Sequence, residues 1–289
     1  MIVITAASSH YGRLVLDELL SRGIPADQLV ATSRDTSSLE DYAAQGLEVR
    51  PADYNDPQSL RQALAGAGQV LLISSDDVEN MERQHRNVID AAIAAGATRV
   101  VYTSCLNADS SSVTMAAPHA ATEQAIKDSG IGYTILRNGN YLENYAGFVG
   151  FWLKFHQAMG CAGAAEISFA SRADLAAVAA ILLAGDTTGN STHDLGGPAY
   201  TMADLVAVAS ELSGTPIEYV DLPEKKYAEL LASGGVPESV AAGVADINAG
   251  AVDGGWYTDS TELETLLDRP VATPREVFAA ALQDLPGHP

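Results

Sequence analysis

The amino-terminal stretch constrains the fold more than any other part of the chain. It reads Met1-Ile-Val-Ile-Thr5, then Ala6-Ala-Ser-Ser9, then His10-Tyr-Gly12 running into Arg13-Leu-Val-Leu-Asp-Glu-Leu-Leu20. An apolar β-branched run, a few small residues and an apolar repeat at helical spacing predict strand, tight turn and helix. At the head of an α/β domain this unit sets backbone N–H groups and the positive end of a helix where a dinucleotide pyrophosphate sits. Thr5, Ala6, Ala7, Ser8, Ser9, His10, Tyr11 and Gly12 are therefore candidate cofactor-binding residues.

Downstream, short apolar runs alternate with helical patterns. Leu29-Val-Ala-Thr-Ser33 reads as a second strand, Leu47-Glu-Val-Arg50 as a short third and Gln69-Val-Leu-Leu-Ile-Ser74 as a fourth. Arg99-Val-Val-Tyr-Thr-Ser104 and Tyr133-Thr-Ile-Leu136 supply a fifth and a sixth, with helical patterns around 60–64, 88–95 and 117–127. Strands apolar along their length are covered on both faces, and βα alternation implies a parallel sheet with right-handed crossovers. The expected fold is α/β: a Rossmann-like doubly wound parallel sheet over residues 1–139, and a smaller, mainly helical C-terminal substrate lobe over 140–289 with some segments returning to the sheet. Within the later part, 173–183 is a helix pattern and His193-Asp-Leu195 a late strand. Thr201-Met-Ala-Asp204 opens a further helix with an N-cap and an acid three residues on. This lobe is expected to pack over the sheet edge. Tyr141, Tyr145, Phe148, Phe151, Trp152 and Phe155 cluster closely and read first as core, second as a cradle for an aromatic ligand.

Composition removes several function classes. With 16 Lys and Arg against 37 Asp and Glu, the net charge of −21 opposes direct nucleic-acid binding, which needs a basic footprint. Two cysteines are too few for a disulfide framework, their spacing suggests no zinc, and a reducing compartment follows. No apolar run approaches the ~20 residues of a membrane span, and the start lacks a secretory pattern. A cytoplasmic protein without membrane partners is the expectation, with a homodimer as a candidate assembly. No metal-ligand set is visible.

In doubly wound sheets the ligand lies outside the carboxyl ends of the strands. Here those ends are Ala6 to Ser9, Ser33-Arg34, Asp53-Tyr54, Ser74-Ser75, Ser104-Cys105 and Arg137-Asn138-Gly139. Arg34 stands about 20 residues after the first turn, where an acid would hold ribose hydroxyls and an arginine suits a 2′-phosphate. NADP(H) is thus expected over NAD(H), with Asp35 placed either to pair with Arg34 or to repel the phosphate. Asp53 can accept from an adenine amino group or cap the helix beginning near Pro57. Asp76, Asp77 and Glu79 read as the solvated start of the next helix.

The loop spacing resembles the T-G-A-T-G-x-x-G turn of atypical short-chain dehydrogenases, with Thr5, Ala7 and Gly12 in place and Ala6 and Ser9 where that pattern has glycine. Ordinary members of that superfamily use a Tyr-x-x-x-Lys pair for proton transfer, whereas the corresponding helix here reads His119-Ala-Ala-Thr-Glu123. Hydride transfer to an already electrophilic acceptor needs less acid–base help. Further segments carry the likeness: Ala44-Gln-Gly-Leu47, Arg50-Pro-Ala-Asp-Tyr54, Leu71-Leu-Ile-Ser-Ser75 and Gln84-His-Arg-Asn-Val-Ile89. Tyr102-Thr-Ser104, Asp128-Ser-Gly-Ile131, Leu136-Arg-Asn-Gly139, Glu143-Asn-Tyr145 and Ser171-Arg-Ala-Asp174 extend it over most of the chain.

Together these segments resemble the type-2 NAD(P)H:quinone oxidoreductases of the NmrA-like group. The resemblance implies NADPH held by the first loop and Arg34, and a quinone beside the nicotinamide near Ser74, Ser75, Arg137, Asn138, Gly139 and Tyr141. Asn138 and Tyr141 become the candidate catalytic donors to a quinone-like substrate. Departures accompany the match: the family's lysine four residues after Arg34 is Ser38, and its tryptophan after Arg-Asn-Gly is Asn140. Arg137 alternatively reads as an ion-pair residue, His85 as a helix-packing histidine and Cys105 as a small core residue. Two other functions stay open at this level: a dinucleotide-binding redox sensor acting through a protein partner, and a biosynthetic reductase or isomerase with a re-tasked pocket.

Overall fold

The computed structural model describes residues 1–185 and 189–285. Its strands are β1 (Ile2–Ile4), β2 (Leu29–Ser33), β3 (Glu48–Pro51), β4 (Gln69–Leu72), β5 (Arg99–Cys105), β6 (Gly132–Asn138), β7 (Asn140–Tyr141), β8 (Gln157–Gly160), β9 (Ile167–Ala170), β10 (Ser191–Leu195), β11 (Ala199–Tyr200) and β12 (Glu218–Asp221). The α-helices are α1 (His10–Ser21), α2 (Glu40–Ala44), α3 (Pro57–Ala63), α4 (Met81–Ala94), α5 (Ala116–Ser129), α6 (Leu142–Ala146), α7 (Val149–Phe155), α8 (Arg172–Ala184), α9 (Met202–Ser213), α10 (Glu224–Ser233), α11 (Glu238–Ala249), α12 (Glu262–Leu267) and α13 (Pro274–Gln283).

Two compact units divide the chain: residues 1–105, 118–138 and 173–194 form the first, and 106–117, 139–172 and 195 onward form the second. The first unit carries a seven-stranded sheet in the order β10-β6-β5-β4-β1-β2-β3, and the pairings from β6 through β3 are parallel. This is the doubly wound α/β sheet anticipated from the alternating pattern. Ile2, Val3 and Ile4 are all buried because β1 is flanked on both edges, with Val3 opposite Val30 on one side and Val70 on the other. Val3, Val70, Val100, Leu60, Val88 and Ile126 share one core, so strands and crossover helices bury their apolar faces together. Strand order reverses at β1, which opens a crevice at the carboxyl ends of β1 and β4.

Most boundaries follow the sequence pattern. The fourth strand stops at Leu72 rather than Ser74, because the Ser74 N–H leaves the ladder to donate to the Thr103 hydroxyl at 2.8 Å. The helix after β3 is capped by Asp56, which accepts from Gln58 N–H at 2.8 Å; Asp53 instead accepts from the Asn55 N–H and closes a turn. This corrects the capping alternative for Asp53.

The second unit joins its helices through two small sheets, β11-β9-β7 and β12-β8. Thr201 and Asp204 form the anticipated reciprocal capping box at the start of α9, and Thr273 and Glu276 form another at α13. Positions 286–289 of the expected C-terminal lobe lie outside the described residues. No helix among the described residues is long and apolar enough to cross a membrane.

Candidate functional site

The crevice is built by the turn between β1 and α1. Ala6 carries a φ of 46°, the left-handed region that glycine enters without cost, so the chain keeps the family's turn through an alanine. Ser9, in place of the second glycine, is the N-cap of α1, and its hydroxyl accepts from the Gly12 N–H at 3.0 Å. Gly12 permits no substitute: a Cβ there would lie 2.7 Å from Ala7 Cα and 2.8 Å from the Ala6 carbonyl oxygen. Helix α1 therefore packs closely on the turn, and its N-cap Ser9 lines the crevice.

The other candidates in this stretch act from behind. Thr5 is buried, donates from its hydroxyl to Leu71 O at 2.9 Å and accepts from Ile73 N–H at 3.1 Å, which fixes β1 against the end of β4. Ala7 is buried and donates its N–H to Thr32 O at 2.8 Å. The buried Tyr11 donates its hydroxyl to Leu175 O at 3.1 Å, and His10 is an exposed first helical residue outside the crevice lining.

A crevice of ≈ 420 Å³ runs along the strand ends, lined by Ala6, Ser8, Ser9, Ser33, Arg34, Asp53, Ser74 and Ser75 from the candidate set. The Arg34 side chain is exposed and makes no hydrogen bond or ion pair among the described residues. Asp35 does not pair with it. The Asp35 carboxylate accepts from Ser37 N–H at 3.0 Å and from the Ser37 hydroxyl at 2.7 Å, and these bonds lower its pKa below the usual carboxylate value. Ser8 and Ser33 hydroxyls lie 2.8 Å apart across the crevice mouth.

Tyr54, Asn55, Asp77 and Gln84 also line the crevice and were not among the candidate cofactor-binding residues. The Tyr54 hydroxyl donates to Ile73 O at 2.8 Å, and burial pushes its phenol well above the ordinary value. Asp77 is no solvated helix start: it accepts from the Asn80 and Gln84 side-chain amides at 3.0 and 3.1 Å. The loop at Ser74 and Ser75 is held from within, because the Ser75 N–H donates to His85 Nε2 at 2.9 Å. His85 Nδ1 faces the Thr122 hydroxyl at 3.0 Å, and that hydroxyl donates to Pro118 O, so the ring is neutral with its proton on Nδ1. Burial, with a contribution from His119, lowers the His85 pKa to about 3. The reading of His85 as a packing histidine gains a specific content, that of holding the loop.

At the ends of β5 and β6 a second cluster forms. Arg137 is outside the crevice lining; its Nε and Nη2 donate to the two carboxylate oxygens of Glu123 at 2.9 and 2.8 Å. The Ser104 hydroxyl donates to the same carboxylate at 2.7 Å. Burial alone would raise the Glu123 pKa, yet the Arg137 and Ser104 hydrogen bonds hold it below the usual value. Asn138, buried, ends β6. Gly139 follows, where a Cβ would sit 2.8 Å from Ser168 O, and the half-buried Tyr141 lies under the Arg172 guanidinium, 5.2 Å from its ring centre. Neither Arg137, Asn138, Gly139 nor Tyr141 lines the crevice of the first unit.

The second unit contains a separate cavity of ≈ 690 Å³. Its walls include Tyr145, Phe148, Phe151, Trp152 and Phe155; the core reading holds for the buried Tyr145 and Trp152, which pack on Phe169 and Phe278, and is corrected for the exposed Phe148, Phe151 and Phe155. Phe151 and Phe155 are 62% and 57% exposed.

A family model described as NAD(P)H-binding matches residues 6–186. Quinone oxidoreductase 2 of Escherichia coli (strain K12) is 41% identical over 274 residues, covering 94% of this chain and 96% of the relative. The crystal structure of NADPH-dependent quinone oxidoreductase from Escherichia coli complexed with NADPH superposes with a TM-score of 0.94 at 40% identity, covering 97% of this chain and 99% of that one. Triphenylmethane reductase of Citrobacter sp. complexed with NADP(H) gives a TM-score of 0.93 at 32% identity, covering 98% and 100%. The chain belongs to the NAD(P)H-binding family, in its NmrA-like group of atypical short-chain dehydrogenases.

Proposed function

We propose that this protein is an NADPH-dependent oxidoreductase that reduces a quinone or similar conjugated carbonyl by hydride transfer. The observation that carries the reading is Arg34, a guanidinium open to solvent at the end of β2 and spent on no acid, beside a turn that retains its left-handed residue and its Cβ-free glycine. That arrangement fits a dinucleotide with a 2′-phosphate: Arg34 takes the phosphate, while the α1 N-terminus with Ser8 and Ser9 takes the pyrophosphate. Bound NADPH supplies the hydride. Asp53 is assigned to the adenine side, and Ser74 and Ser75, held by Thr103 and His85, to the nicotinamide side.

Residues 1–139 would carry the cofactor and most of 140–289 the acceptor. Asn138 and Tyr141, three residues apart in the chain, are assigned as donors to the acceptor oxygen, where negative charge develops as hydride arrives. Arg137, clamped by Glu123, supports the strand end that carries Asn138. The acceptor is electrophilic already, so the missing Tyr–Lys pair leaves no gap in this chemistry.

A cytoplasmic setting is supported by Cys105 and Cys161, both buried and neither in a disulfide. A homodimer is the candidate assembly, which sedimentation would test. The acidic charge disfavours nucleic acid as a partner.

The test is titration of cofactor-stripped protein with NADPH and NADH, followed by a simple quinone. Tighter NADPH binding with quinone-dependent oxidation is the expected result. Binding without turnover would favour the redox-sensor reading, and no binding of either nucleotide would overturn the assignment.

A further inference from the structure

No charged side chain lines the cavity of the second unit, and most of its wall is aromatic, leucine, methionine and valine side chains. Three polar side chains in that wall are buried and incompletely paired. Tyr227 is 8% exposed, and its hydroxyl makes no hydrogen bond among the described residues. Asn248 is 4% exposed; its Oδ1 is buried without a partner, and its side-chain nitrogen bonds to nothing among the described residues. The Tyr145 hydroxyl accepts from the Asn140 amide at 3.1 Å and gives its own proton to no acceptor among the described residues. Burial raises the pKa of both phenols, to about 12 at Tyr227, so each stays a protonated donor, and the Tyr227 phenol lies near enough to add to the rise at Tyr145.

Neighbouring groups do not complete this set. Tyr227 packs on Ala245, which precedes Asn248 by three residues on α11, so the hydroxyl and the amide lie along one face of that helix. A Cβ at Gly160 would lie 3.1 Å from Asn248 Oδ1 and 3.0 Å from the Tyr219 hydroxyl, so these two side chains meet over the glycine. The Tyr219 hydroxyl, however, donates to Asp221 Oδ1 at 3.1 Å and accepts from Ala162 N–H at 3.3 Å. Cys161, packed against Tyr227, donates its thiol to Ala245 O at 3.3 Å. Buried polar groups are normally paired, and several left unpaired around one apolar cavity are unfavourable unless a ligand completes them.

We propose that the cavity of the second unit is a binding site for a neutral aromatic phenol, whose hydroxyl donates to Asn248 Oδ1 and whose oxygen accepts from the Tyr227 hydroxyl. A phenol donates and accepts at a single atom, and the cavity offers an unpaired acceptor beside unpaired hydroxyl donors. A quinone, ketone or ether accepts only and leaves the Asn248 oxygen bare. A charged ligand would be desolvated with no opposite charge in the wall. The rings of Tyr145, Phe148, Phe151, Trp152 and Phe155 select an aromatic body, and ≈ 690 Å³ lies within the range of sites for drug-sized ligands. The inference goes beyond the reductase reading and does not depend on it, because it concerns binding without turnover and uses residues of the second unit alone.

The experiment is equilibrium dialysis of the protein, without nucleotide, against 2-naphthol, 2-methoxynaphthalene and naphthalene. The methyl ether keeps the oxygen and loses the donor, so naphthol should bind about tenfold more tightly than the ether. Asn248→Leu should bring the phenol and the ether to within about twofold of each other. Tyr227→Phe should weaken both about threefold or more and leave naphthalene unchanged. Because the Tyr227 hydroxyl has no partner in the protein, this variant should also melt at or above the temperature of the parent. Equal affinities for phenol and ether in the parent overturn the proposal, as does a preference for the phenol that survives Asn248→Leu. No saturable binding of naphthol overturns it too, leaving the polar groups to water. A lower melting temperature in Tyr227→Phe does the same, since the hydroxyl would then already be paired within the protein.

Discussion

The Ser75 backbone N–H donates to Nε2 of His85 at 2.9 Å, ten residues along and on helix α4. This bond ties the loop after β4 to the body of the first unit, and it exists only while the imidazole is neutral. Protonated Nε2 would be a donor facing a donor.

Acid sensitivity follows from that bond. The folded His85 pKa, about 3, and that of His119, lowered by burial to about 4, both lie below the unfolded value near 6.5. The unfolded chain therefore binds more protons in between, and stability is full above about pH 6.5 and falls as the pH drops toward the folded values. Glu123 adds a loss in the same direction, at lower pH, in the carboxylate range. His85→Gln keeps an acceptor for Ser75 and cannot titrate. Thermal melts should show a smaller decline between pH 6.5 and 5 in this variant than in the parent.

The two glycine replacements in the first turn should respond in opposite ways. Ala6 sits at φ 46°, which costs a residue with a Cβ roughly 1–2 kcal/mol, so Ala6→Gly should raise unfolding free energy by up to about 1 kcal/mol after the added chain entropy. Ser9→Ala removes the cap on Gly12 N–H and should cost about 0.5–2 kcal/mol, whereas Ser9→Gly should cost only a few tenths. Urea denaturation checks the signs. NADPH titration of the double glycine variant should show tighter binding, since both Cβ atoms leave the crevice.

Arg34→Ala should separate the two nucleotides. Hydrogen bonds to charged groups contribute about 1.5–3 kcal/mol, so NADPH affinity should fall roughly 10- to 150-fold and NADH affinity should barely change. Fluorescence titration of both nucleotides decides it, and equal losses would show that Arg34 serves the fold.

At the end of β6, Glu123→Ala would leave the Arg137 guanidinium without its carboxylate in a site where the two side chains are 3% and 13% exposed. Breaking a buried pair in this way should cost about 3–5 kcal/mol in urea unfolding. Asn138→Ala should behave differently, lowering turnover more than NADPH affinity. Equal loss of both would sink its assignment as a donor to the acceptor.

Local chemistry was written in the sequence. β-branched runs such as Leu29-Val-Ala-Thr-Ser33 give the strand at their own boundaries, and Thr201 with Asp204 gives a helix start, because propensity and capping act within a few residues. Period and alternation also determined the doubly wound sheet, and the strand ends named Ala6, Arg34, Asp53, Ser74 and Ser75, which tertiary structure places around one crevice. What the tertiary structure alone decided is which polar residues already have partners. Arg34 and Arg137 look alike in sequence, yet one is open and the other is held by Glu123 from a different helix. Asp35 turns to Ser37, and His85 reaches Ser75, for the same reason: side-chain hydrogen bonds depend on distances of a few ångströms that no local pattern encodes. The second cavity was legible only in its aromatic wall, which the sequence offered as a cradle second to core. Its aromatic wall and Asn248 lie about a hundred residues apart in the chain, and only the packing of the second unit left a space between them instead of a core.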